Sequence, residues 1–220
     1  MKMKTKGVGR KSPNEFVMGF FGHKPISVKV THNPDSIRSK FVSTWAIPPE
    51  RTLGWSTIRK GEKTGYRKAL IFVNKKLPEY VKARGNLRKA FETEYTLVHE
   101  LAHVYAEREG KVTEYMHEHL ANLISLEYFA KTNPNKLKLI LRAAGNEKTA
   151  NRFLIPKELI NIYKYIRTEE REQLISDVLL GKIKFPGKEL DKYLLGIVKK
   201  MPSPPKDYIT YLENAINIPF

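Results

Sequence analysis

The sequence predicts an α+β protein, with a small antiparallel or mixed sheet packed on helices and a helical carboxy-terminal region after them. Three observations predict it. Short strand-like segments, two of them alternating between apolar and polar residues, lie between residues 26 and 75, apolar residues recur at helical period from about residue 77 onward, and Gly or Pro punctuates the helical part. At 41% hydrophobic and 29% charged, the 220-residue chain can bury one substantial core and lacks the composition of a disordered chain.

The elements follow in chain order. Residues 1–15 contain Gly7, Gly9 and Pro13, with five basic and no acidic residues in 1–11, and read as a flexible basic arm. Residues 16–22 are apolar and mimic a signal peptide, but they are too few and lack a small-residue cleavage site. Segments 26–30 and 41–45 alternate as half-buried strands do, and 52–58 is a third candidate. Gly61 to Gly65 make a hairpin turn into a fourth strand, 68–74. Helices are expected at 78–84, 88–109, 114–131, 134–144, 147–153, 156–167, 169–180, 187–200 and 205–216. The chain thus divides into the arm, a sheet-and-helix unit over 16–145, and a helical region over 146–220 that could serve as lid, docking bundle or brace.

The helix expected at 88–109 carries the chemistry. It reads His99-Glu100-Leu101-Ala102-His103, a His-Glu-x-x-His pattern. Positions i and i+4 share one helix face, so both imidazoles can reach a single metal ion. Glu100 then points to the neighbouring side, where it can take a proton from a water that the ion activates. Phe91, Tyr95, Val98, Ala102 and Tyr105 form an apolar stripe at spacings of 4, 3, 4 and 3, widened by Leu97, Leu101 and Val104. The two His lie at the edge of that stripe. Gly110 reads as a C-terminal cap, and Thr113 as the N-cap of the next helix.

Catalytic zinc takes three protein ligands and leaves a position open. A short connection makes the two helices an antiparallel hairpin, and it places Glu118 at the height of His103, roughly 8–9 Å from the turn. Asn122, four residues on, lies on the same face and can orient a ligand. His117 has the right height but points about 100° away from Glu118. His117 and His119 stay as alternative third ligands. For the oxyanion of a hydrolytic reaction, Tyr105, Tyr115, Tyr128 and several His or Arg residues downstream are candidate donors, the tyrosines against a plainer role in core packing.

His99-Glu100-x-x-His103 followed by Glu118-His-Leu-Ala121-Asn122 resembles the Glu-x-x-Ala-Asn element of the gluzincin metallopeptidases, in the style of the minigluzincins and the ImmA/IrrE-type peptidases. The resemblance covers about residues 50–131. It implies a zincin-like catalytic domain, one Zn²⁺ per chain held by His99, His103 and Glu118, and Glu100 as catalytic base. It also implies that 68–74 is an edge strand that pairs with an extended protein or peptide substrate. One departure is the interval of 14 residues between His103 and Glu118, shorter than in larger gluzincins. A His at about the distance of His117 resembles instead the third ligand of SprT-type proteases. The metzincin pattern is excluded, because Ala106 and Glu109 stand where it requires Gly and His.

The net charge of +17 is uneven, with twelve basic and two acidic residues in 51–90. Such a field attracts polyanions, so nucleic acid and an acidic protein substrate are both candidate partners. A basic nucleic-acid-binding or regulatory protein on a zincin fold, with little or no peptidase activity, is the alternative reading. The intact Glu100 argues against it. The absence of cysteine excludes disulfides and thiolate metal sites and fits a cytoplasmic protein. No stretch reaches the length of a membrane span.

Overall fold

A computed structural model describes residues 12–22, 26–33, 35, 53–59, 68–75, 93–109, 114–145, 155–184 and 187–217. These residues form eight helices and one three-stranded mixed sheet, so the chain is α+β. No helix among them is long and apolar enough to cross a membrane. The strand expected at 41–45, the turn at 61–65, the helices at 78–84 and 147–153, the two caps at Gly110 and Thr113, and the arm before residue 12 lie outside the described residues, as does most of the basic segment 51–90.

Helix α1 spans Pro13–Phe21. Ser12 caps it in a reciprocal box, with the Glu15 amide 3.3 Å from Ser12 Oγ and the Ser12 amide 2.8 Å from Glu15 Oε2. Gly22 closes it in a left-handed conformation at φ 62°, which only glycine adopts without steric cost. Residues 13–15 therefore belong to a helix and not to the arm. The apolar run that mimics a signal peptide is the buried face of α1: Phe16 meets Tyr128 edge-on, and Phe21 stacks on Tyr105.

The sheet comprises β1 (Ser27–Thr31), β2 (Gly54–Arg59) and β3 (Lys68–Val73) in the order β1-β3-β2. β1 runs parallel to β3, and β2 runs antiparallel to it. β3 is thus central, with a strand on each side, and the expectation of an edge strand at 68–74 is overturned. Ala69, Ile71, Phe72 and Val73 are all buried, as befits a strand covered on both faces. The substrate pairing that required a free edge on this strand falls with it.

Helices α2 (Thr93–Glu109) and α3 (Glu114–Thr132) pack on each other, and α2 lies against β2 and β3. The predicted stripe of α2 is the buried one: Tyr95, Val98, Leu101, Ala102, Val104 and Tyr105 are all in the core. Helices α4 (Pro134–Gly145), α5 (Lys157–Tyr165), α6 (Thr168–Leu179), α7 (Lys188–Val198) and α8 (Lys206–Asn217) follow among the described residues.

The carboxy-terminal helices brace α3. Arg171 of α6 enters the core, where its Nε donates to Glu127 Oε2 at 2.8 Å and its guanidinium lies 4.7 Å from the centre of the Tyr163 ring. The Tyr163 hydroxyl donates to the Leu123 carbonyl at 2.7 Å. Glu127 is fully buried, so removing its counter-charge strands a carboxylate in the core. Arg171→Leu is expected to cost about 3–5 kcal/mol of stability. Urea unfolding measures it, and a loss under about 1 kcal/mol, the scale of an exposed ion pair, would reduce this contact to a surface pair in energetic terms.

Candidate metal centre

The α-helical register of α2 sets His99 and His103 one turn apart on the same face, with their Nε2 atoms 3.0 Å from each other. Glu118 of α3 reaches across the hairpin. Its Oε2 lies 3.3 Å from His99 Nε2, and its Oε1 lies 3.3 Å from His103 Nε2. Each residue offers one ligand atom, and these atoms all lie within 4.8 Å of one another. The fit to a metal can be tested on these distances. Around a tetrahedral ion with bonds of roughly 2.05 Å, ligand atoms stand about 3.3 Å apart. The triad therefore can hold a metal ion. Its donors, two imidazoles and one carboxylate, are of the kind that zinc takes in open sites.

The centre is accessible from one side. The side chains of His99 and His103 are 15% and 17% exposed, whereas that of Glu118 is 59% exposed. Hydrogen bonds from His103 and then His99 hold the Glu118 carboxyl far below the usual carboxylate range, so it is charged and acceptor-only at neutral pH. His117 lies near, its ring centre 6.2 Å from that of His103, but neither His117 nor His119 joins the converging set among the described residues.

Glu100 follows His99 on α2 and is buried. Burial pushes its carboxyl up to about 7, opposed by the nearby His103 and by a hydrogen bond with the Ser56 side chain. A buried carboxyl beside the ligands is of the type that can accept and return a proton. β2 holds it in place. Gly54 packs so closely that a Cβ there would stand 2.5 Å from Thr96 Cγ2, 2.6 Å from Glu100 Oε1 and 2.8 Å from Glu100 Cγ. The strand against the site is thus β2, not β3. Gly54 and Ser56 are site residues that sequence reasoning did not single out. A glycine inside a strand pattern, which signals close backbone approach, was the available clue.

Asn122 has a different partner from the one its spacing implies. Its Oδ1 accepts from the Tyr95 hydroxyl at 2.7 Å, and it makes no hydrogen bond to His99, His103 or Glu118. Tyr95 in turn stacks on His99, with ring centres 6.3 Å apart and 23° between planes. Burial and then the Glu118 charge keep the Tyr95 hydroxyl protonated far above the usual phenol range.

Of the candidate oxyanion donors, Tyr105 and Tyr128 are packing residues. The Tyr105 hydroxyl donates to Asn14 Oδ1 at 2.9 Å and accepts from the Ile26 amide at 3.2 Å. The Tyr128 hydroxyl donates to Glu94 Oε1 at 2.7 Å. Both rings are in the core, and the Tyr115 side chain lies outside the described residues. No known protein family, no curated protein and no solved structure matches this chain.

Proposed function

We propose that the chain is a zinc-dependent metallopeptidase of the gluzincin type that hydrolyses peptide bonds in an intracellular protein or peptide. One observation carries the reading: two imidazoles and a carboxylate converge at metal-ligand spacing, with a buried carboxyl one residue from the first imidazole. A purely structural site has no use for that fourth group.

In this reading His99, His103 and Glu118 hold Zn²⁺. The ion supplies Lewis acidity, polarising a carbonyl and making water a stronger acid. Glu100 takes the proton of the attacking water and delivers it to the leaving nitrogen. Gly54 and Ser56 keep its carboxyl from turning away, and the exposed side of Glu118 is where a substrate approaches.

The reading is tested first on metal content. Protein purified without added metal and analysed by plasma mass spectrometry is expected to carry one zinc per chain, and His103→Ala is expected to carry none. A protein that takes up no zinc even when supplied with excess would end the proposal.

A further inference from the structure

The geometry points to Tyr95 as the positioning residue of the metal centre: it orients the ligand His99 and straps the two ligand-bearing helices together. This inference rests on the metal reading above.

A metal-ligating His ordinarily donates its remote ring nitrogen to a carboxylate, a backbone carbonyl or water, and that bond fixes the plane of the ring. His99 departs from this. Its Nδ1 is buried and has no hydrogen-bond partner among the described residues. Asn122, which could have provided one, is engaged by the Tyr95 hydroxyl instead. Among the described residues the His99 ring is held by its fellow ligands, Glu118 at 3.3 Å from Nε2 and His103 edge-on at 4.7 Å, and by Tyr95 stacked on it at 6.3 Å. His103 is itself a ligand, so Tyr95 is the supporting group that lies outside the triad.

Tyr95 has the means to hold still. It sits one helical turn before His99 on α2 and is buried. On its other side it stacks on Phe129 of α3, with ring centres 6.1 Å apart and 9° between planes. The hydroxyl bonds to Asn122, one turn after Glu118 on the same helix. One side chain therefore ties the helix of His99 and His103 to the helix of Glu118 at the level of the site. The separation of the ligands depends on that tie, and the plane of His99 depends on the stack.

The test is titration of the full-length protein with Co²⁺, followed by its visible spectrum, and with Zn²⁺ by chelator competition. Tyr95→Phe keeps the ring and loses the tie. Asn122→Ala loses the same tie from the other helix. Each is expected to weaken Co²⁺ and Zn²⁺ binding about tenfold, and the double variant is expected to be no worse than either alone. Tyr95→Leu also loses the stack and is expected to weaken binding about 100-fold and to shift the Co²⁺ bands. Wild-type affinity in Tyr95→Phe and Asn122→Ala overturns the inference. So does a lowered melting temperature of the metal-free variants with affinity and spectrum unchanged, since that is a merely structural role. A wild-type protein that binds neither ion overturns the metal reading itself, whereas tight wild-type binding matched by the variants removes only this inference.

Discussion

Glu100→Gln is expected to keep one zinc per chain and to lose hydrolysis by about 10²- to 10⁴-fold, the range that a positioned general base supplies. The substitution is nearly isosteric. The amide still fits against Gly54 and still offers a partner to Ser56, so the buried site retains its packing. The triad of His99, His103 and Glu118 is untouched. What disappears is the capacity to accept a proton. Zinc stoichiometry and kcat on a substrate that the parent cleaves must be read together. Loss of both would mean that the site has collapsed, and retention of both would show that Glu100 is not the base.

Gly54→Ala is the second large effect, and it arises from a residue that carries no functional group. The added methyl would stand 2.5 Å from Thr96 Cγ2 and 2.6 Å from Glu100 Oε1, both on α2. β2 cannot withdraw freely, because Gly54 is paired with Val73 and the Leu53 carbonyl accepts from the Asn74 amide at 2.9 Å. Thr96 and Glu100 are buried, so they must yield within a packed layer. Overpacking of this kind costs about 1–3 kcal/mol. A shift of the base by about 1 Å is expected to lower kcat about 10²-fold. Thermal unfolding and kcat measure the two parts. A Gly54→Ala protein with parental stability and parental turnover would show that β2 does not hold Glu100.

Both predictions depend on contacts of unequal legibility. Glu100, His99 and His103 belong to one helix, and their relative placement follows from the 3.6-residue period alone. Glu118 could be reached because a short connection leaves an antiparallel hairpin little freedom. The edge-strand reading of 68–74 went wrong although a signal was present. Ala69 to Val73 is a continuous apolar run, and such a run marks a strand covered on both faces. Residues 13–15 read as part of the arm because of their basic neighbours, yet Ser12, Pro13 and Glu15 spell a helix start. Tyr95 read as one more apolar residue of a stripe. Its stack on His99 follows from that same helix, but its bond to Asn122 joins residues 27 apart.

By itself, the sequence determined the α+β class, the three strands that the structure describes, the long helices, and the chemistry offered by His99, Glu100, His103 and Glu118. Each of these is encoded within one element or across one short connection, where backbone geometry leaves few choices. The tertiary structure alone decided that β3 is central, that Gly54 and Ser56 back Glu100, that Tyr95 takes Asn122, and that Arg171 braces Glu127 from another helix. Those pairings join residues far apart along the chain. Which partner a strand or a buried polar group takes depends on the packing of the whole core, and no local periodicity carries that choice.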